Sequence, residues 1–211
     1  MRDNCVIVRG GGDLASGVIH RLHRCGYRVL ILECEKPSAI RRKVAFCEAV
    51  YDGEAAVEGV NCRRVDFLEE CERVWANGEI PLMVDPSGKC ISELSAQGRV
   101  SALVDAILAK RNLGTSREMA PLTIGLGPGF FAGKDVDYVV ETMRGHDLAR
   151  IIKEGPAIPN TGVPGMVGGV SKERVIHSPG AGKIHNIAHI ADLVEKGQIL
   201  AYVGDVPVEA S

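Results

Sequence analysis

The chain has 211 residues, 45% of them hydrophobic and 25% charged, enough for one large domain or two small ones and incompatible with a disordered or fibrous polymer. A net charge of -2 and a pI near 6.3 exclude the global basic field that drives nonspecific nucleic-acid binding. Residues 1–50 nevertheless hold nine Lys or Arg against five Asp or Glu, a local surplus suited to a small anionic ligand rather than a nucleic acid.

Cys5 to Val8 is a short apolar run that ends in Arg9-Gly10-Gly11-Gly12. Leu14, Val18, Leu22 and Cys25 then recur at helical spacing and Gly26 stops the helix. Arg28 to Glu33 is a second strand, so strand, turn, helix and strand fit within about thirty residues, the length of a nucleotide-binding βαβ half. Ser38 predicts a short basic helix over 40–46, and Val50-Tyr51 and Cys62 to Val65 predict further short strands. Asp66 predicts the N-cap of a helix carrying Phe67, Leu68, Cys71, Val74 and Trp75. Ile80 to Val84 is a buried strand delivering Asp85-Pro-Ser-Gly88, and 100–108 is apolar enough for either structure, with a strand through Asp105 preferred. The polar, breaker-rich stretch 113–120 predicts a boundary between a Rossmann-like domain over 1–112 and a β-rich domain over 121–211. There, Leu122 to Gly125, Val136 to Thr142, Leu148 to Ile152, Arg174 to His177 and Gln198 to Val203 predict short strands between turns dense in Gly and Pro. The expected fold class is α/β, a parallel Rossmann-like half followed by a β-rich half.

The most informative local pattern is Gly10-x-Gly12-x-x-Ala15, lying directly after a strand and opening a helix. Gly10 permits the tight turn, Gly12 lets backbone amides approach a pyrophosphate, and Ala15 or Gly17 lets the helix pack close to the sheet. The expected binding residues are Gly10, Gly11, Gly12, Asp13 and Leu14, with Glu33 accepting hydrogen bonds from ribose hydroxyls. Asp13 would repel phosphate unless its side chain turns away. NAD, NADP, S-adenosylmethionine or another adenosine compound all satisfy this pattern, as does a relict turn that only tightens packing.

The second glycine cluster, Gly127-Pro128-Gly129, is expected to be a structural corner. Its competitor is a ligand loop facing Arg144 and His146, a second anion contact at the tip of a hairpin formed by 138–142 and 148–152. His185-Asn-Ile-Ala-His189 has zincin-like spacing but lacks the glutamate and the helix, so no metal site and no zinc hydrolase is expected. The seven cysteines all lie within the first ninety residues, contain no C-x-x-C pair and are expected to be reduced thiols. Cys25 and Cys71 fall on apolar helix faces; Cys34 and Cys90 are better placed to meet a ligand, and Cys90, beside Lys89, is the weak catalytic candidate. No stretch approaches a membrane span and the start shows no secretory h-region, so a cytoplasmic protein is expected.

Val8 to Gly17, taken together with Ile124 to Phe130, Asp135 to Thr142, Arg144-Gly-His146 and Pro159-Asn-Thr-Gly162, resembles the YqeB-type family. These are accessory proteins of selenium-dependent molybdenum hydroxylase systems whose Rossmann part is similar to that of XdhC-type maturation factors. The resemblance implies maturation of an apo molybdenum hydroxylase as partner, with the molybdenum cofactor or its nucleotide form among the ligands; it implies no established reaction chemistry, and homo-oligomerisation is left open. Residues from about 174 to 211 look like the first half of a biotinyl/lipoyl-type β-hammerhead, so either the chain is shortened or its end packs on a β region or a partner. Lys196 is not at a carrier lysine's position, and no covalent biotin or lipoyl group is expected. The alternatives are an NAD(P)-binding oxidoreductase, for which no Tyr-x-x-x-Lys relay is visible, and a noncatalytic interaction module.

Overall fold

The structure is a computed structural model that describes residues 4–163, 166, 168–170 and 175–210. It divides into two units, 1–160 and 161–211.

The first unit is built on β1 (Cys5–Arg9), β2 (Arg28–Glu33), β3 (Glu54–Val57), β4 (Val60–Val65), β5 (Ile80–Val84), β6 (Val100–Asp105), β7 (Thr123–Leu126), β9 (Tyr138–Val140) and β10 (Ile151–Ile152), which form one nine-stranded sheet in the order β10-β9-β7-β6-β1-β2-β5-β4-β3. The strands from β4 across to β9 are mutually parallel, and β3 and β10 run antiparallel at the two edges. A separate two-stranded ribbon pairs β8 (Phe131–Ala132) with β11 (Gly155–Pro156).

Parallel strands are covered on both faces and therefore read as unbroken apolar runs, as Cys5-Val-Ile-Val and Val29-Leu-Ile-Leu do. The two-residue period divides them: Val6, Val8, Val29 and Ile31 pack toward α1 (Asp13–Arg24) and the Phe46–Val50 segment, whereas Ile7, Leu30, Leu32 and Leu103 pack toward α3 (Glu70–Ala76) and α4 (Lys89–Ala96). Ile7 is fully buried at the centre, so truncation to Ala would cost roughly 2–5 kcal/mol.

Several local expectations change. Helix α1 buries Ala15, Ser16 and Ile19 and leaves Leu14 about half exposed, so its packing stripe is rotated from the Leu14/Val18/Leu22 series, of which Val18 and Leu22 pack only partly. Small residues win because the helix start lies close to the glycine turn: Ser16 Oγ donates to the Gly11 carbonyl at 3.1 Å and accepts the Phe46 amide at 2.8 Å. That anchorage also replaces the helix expected over 40–46 by 3-10 turns at Arg42–Val44 and Phe46–Glu48. They lead into the short helix α2 (Ala49–Asp52), where Val50-Tyr51 was expected as strand. Helix α3 starts at Glu70, not at Asp66, because Glu70 Oε2 reaches back to the amides of Asp66 and Phe67 at 2.9 and 3.1 Å.

The stretch 113–120 is not a unit boundary. β7 continues the sheet beside β6, with Leu103, Val104 and Asp105 in register with Thr123, Ile124 and Gly125. The polarity of the stretch closes a local turn instead: Asn112 Oδ1 accepts the amides of Gly114 and Thr115 at 2.9 and 2.8 Å.

The second unit holds a three-stranded antiparallel sheet, β12 (Ile184–Asn186), β13 (Ile199–Val203) and β14 (Val206–Glu209), with Ile184 opposite Val203 and Val203 opposite Val206. Residue 174 of the strand expected over 174–177 lies outside the described residues, and 175–177 are not strand. Among the described residues no helix is long and apolar enough to cross a membrane.

Candidate functional site

β1 leads through α1 to β2 on one side, and α4 leads to β6 on the other, so the carboxyl ends of β1 and β6 form the switch point at which ligands bind to sheets of this kind. The glycine turn sits there, and its three residues have different tasks. Gly10 has φ +95°, and a Cβ on it would stand 2.9 Å from the Ala106 carbonyl oxygen, because the turn leans directly on the chain leaving β6. A Cβ on Gly11 would stand 3.0 Å from the Cys47 nitrogen, where Cys47 donates to the Gly11 carbonyl at 2.9 Å. Gly12, the N-cap of α1, would place a Cβ with nothing within 4 Å. The first-turn amides, which no helix can pair internally, lie at the positive end of the helix dipole.

A groove of about 350 Å³ opens beside this turn. Its floor includes Gly10, Gly12 and Ala106 to Leu108, and its outer wall is the segment Pro37 to Arg41. Leu108 holds φ +59°, a conformation that costs a non-glycine residue on the order of 1–2 kcal/mol.

Glu33 lines the groove but is not the free acceptor expected from the sequence. Its Oε1 accepts the Gly11 amide at 2.8 Å and its Oε2 the Cys34 amide at 2.6 Å. The Cys34 thiol also hydrogen-bonds to this carboxylate, so of its about four lone-pair positions one remains for a ligand's hydroxyl. Asp13 also lines the groove, where its carboxylate is ion-paired with the Arg41 guanidinium, which offsets part of the repulsion expected of it. Leu14 contributes only its backbone position, since its side chain is about half exposed and does not line the groove.

Two thiols lie here. Cys47 is buried, and burial followed by the Glu33 charge pushes it up to about 12; Cys34 is exposed and is raised by the same two causes. Both favour the protonated, weakly nucleophilic form. Cys90 is removed from the candidates: it is 7% exposed in the first turn of α4, and burial, then the neighbouring Asp85 charge, drives its thiol up, overriding Lys89. Cys25, expected in the core, is exposed, because the helix stripe is rotated away from it.

Arg144 and His146 do not join the groove. They are exposed in the turn between β9 and β10, and β9 lies three strand spacings from β1, about 14 Å. The hairpin itself is as expected. Its buried polar group is Glu141, whose oxygens accept the amides of Thr142, Met143 and Ile158 at 2.7–2.8 Å. The Gly127-Pro128-Gly129 loop is a packed corner, where a Cβ on Gly129 would stand 2.7 Å from the Arg111 nitrogen. His185 lies on strand β12 and His189 beyond its end, which separates the zincin-like spacing from any helix.

Sequence reasoning missed the buried polar network beneath the switch point. Arg9 and Asp105, in register on β1 and β6, are 3% and 1% exposed and lie 3.5 Å apart. Thr115 bridges them, accepting from Arg9 and donating to Asp105 at 2.6 Å each, and Arg9 also donates to the Pro86 carbonyl at 3.0 Å. The only signal was a charge at the end of each of two apolar runs.

Over 205 residues, 97% of its length, the chain is 48% identical to "Uncharacterized protein YqeB" of Escherichia coli (strain K12). The match covers 37% of that relative, so the chain spans little more than a third of its length. No family model and no solved structure matches the chain. The resemblance carried by the glycine turn and the later motifs is therefore supported across nearly the whole sequence.

Proposed function

From the premise that this is a YqeB-type chain, we propose that its first unit binds a nucleotide at the switch-point groove and serves in an accessory protein that matures a molybdenum hydroxylase. The observation that carries the binding half is Gly12: it stands open to 4 Å at the positive end of α1, beside a carboxylate with spare acceptor capacity. A pyrophosphate would take the first-turn amides, a ribose hydroxyl would donate to Glu33, and a base would lie along the apolar wall at Pro37, Ala39 and Ile40. The strained Leu108 supports the same reading, since residues held in such conformations concentrate at functional sites. NAD, or a molybdenum-cofactor nucleotide with a free 2′-hydroxyl, suits Glu33 better than NADP. The protonated groove thiols favour binding and delivery over thiol catalysis.

The maturation half rests on the family resemblance, with an apo molybdenum hydroxylase as partner and the cytoplasm as compartment. We read the three antiparallel strands of the second unit as part of a lipoyl-like fold that carries no covalent group. The test is thermal-shift and calorimetric screening of the chain against NADH, NADPH, S-adenosylmethionine and molybdenum-cofactor nucleotides, followed by addition of the loaded protein to an apo-hydroxylase. A ligand at a hundred times its Kd stabilises by about 2.7 kcal/mol, a plain rise in Tm. No shift with any of them refutes the nucleotide reading. Hydride transfer from bound NADH to an acceptor replaces maturation with an oxidoreductase.

A further inference from the structure

Among the residues lining the groove the charged ones are Asp13, Glu33 and Arg41, two carboxylates against one guanidinium. An ordinary phosphate cradle gathers cations, so a groove with a carboxylate in the first turn of its anion-binding helix is an unusual balance. The Asp13 side chain is 30% exposed and Arg41 59%, and the pair joins the helix start to the outer wall across the groove mouth. Only one terminal nitrogen of Arg41 meets Asp13 Oδ2. The guanidinium has five N–H donors, so its other edge stays available to a second anion without giving up the first. Asp13 meanwhile already occupies part of the favourable field at the helix end, and every further negative charge brought there meets it.

We propose that the Asp13–Arg41 pair makes the groove selective for ligand charge: it accepts a pyrophosphate diester carrying two negative charges and discriminates against nucleoside di- and triphosphates with free terminal phosphates. The proposal rests on the nucleotide reading above and names the substrate class of that same site. Arg41 supplies the direct contact that holds one phosphate, and Asp13 supplies the repulsion that sets the upper limit. Two unit charges about 4 Å apart in water interact by about 1.7 kT, which corresponds to roughly a fivefold change in affinity for each added ligand charge.

The experiment is calorimetric titration of the whole chain at low ionic strength, without divalent metal, using ADP-ribose, ADP and ATP. The wild-type protein should bind ADP-ribose most tightly and lose roughly fivefold at each step to ADP and ATP. Asp13→Asn, nearly isosteric, should flatten this ladder by bringing ADP and ATP toward ADP-ribose. Arg41→Gln should weaken all three about tenfold or more while keeping the ladder. Far-ultraviolet dichroism and Trp75 emission establish that both variants are folded. A ladder unchanged in Asp13→Asn, or an Arg41→Gln variant that binds as the wild type does, overturns the charge-selection proposal and leaves the nucleotide site standing. Absence of binding of all three by the wild-type chain overturns both.

Discussion

Replacing each glycine of the β1 turn by alanine separates the structural work of the turn from its binding work. At Gly10 the φ of +95° alone would cost an alanine on the order of 1–2 kcal/mol. The new Cβ would also stand 2.9 Å from the Ala106 oxygen, a backbone atom, and relieving it should add roughly 1–3 kcal/mol. The sum, about 2–5 kcal/mol, is a large share of a typical domain's stability. With a urea slope of about 2 kcal/mol/M it lowers the midpoint by about 1–2.5 M. At Gly12 the backbone, φ −66° and ψ −179°, is open to any residue and the Cβ meets nothing within 4 Å. The poorer capping of alanine, some tenths of a kcal/mol, is offset by the reduced freedom of the unfolded chain, so stability should stay within about 1 kcal/mol. The same methyl would stand where a phosphate must approach the amides, and ADP-ribose affinity should fall tenfold or more.

Urea titration followed by emission of Trp75, the single tryptophan, reads the stability half. Its Nε1 donates to the Val29 carbonyl of β2 at 2.9 Å, so its signal reports the sheet itself. Calorimetry with ADP-ribose reads the other half. Equal loss of stability in Gly10→Ala and Gly12→Ala, or wild-type affinity in a folded Gly12→Ala, would refute the division of labour.

Three further outcomes are expected. Asp105→Asn should cost about 3–5 kcal/mol in urea unfolding because it leaves the buried Arg9 charge uncompensated, whereas Thr115→Val, which removes only the bridge, should cost about 1–3; an Asp105→Asn loss below 1 kcal/mol would contradict the network. In a thiol-reagent assay at pH 8, Cys25 and Cys34 should react in the native protein, and the buried five only on unfolding; because thiols such as Cys5, pushed up to about 11, and Cys71, up to about 12, stay protonated in the fold while unfolded thiols ionise near about 8.5, stability should fall as pH rises above that value, by up to about 1.4 kcal/mol per pH unit for each thiol. Asp137 resists burial, which alone would raise it, because the Thr123 amide and hydroxyl and Arg117 more than offset that and hold its carboxyl low. Its contribution should therefore be complete above about pH 4 and be lost as pH falls below, and Asp137→Asn should flatten that acid limb; an unchanged acid titration would count against it.

The unbroken apolar run of β1, the glycines at its end, the run of β2 and its terminal Glu33 were legible because strand period, turn glycines and helix start are properties of neighbouring residues. The same holds for β5, β6, β7 and the β9–β10 hairpin, though not for the lengths of the short strands. Within the site, the identity of the turn and of Glu33 was legible, and the state of each group was not. Glu33 meets Gly11 across 22 residues, Asp13 meets Arg41 across 28, and Arg9 meets Asp105 only because β1 and β6 are adjacent. The stretch 113–120 has the composition of a linker yet folds into the first unit, since its Thr115 is needed by two buried charges. Cys90 looked activated beside Lys89, and its position under the sheet made burial the larger effect. Arg144 and His146 looked like a clamp until the strand order set them three strands from the turn. By itself the sequence determined where the chain turns, which segments are apolar and that a phosphate-type turn opens α1, all consequences of local backbone freedom and side-chain period. The tertiary structure alone decided which charges meet and which thiols are silenced, because desolvation and pairing depend on residues distant in the chain that only strand order and register bring together.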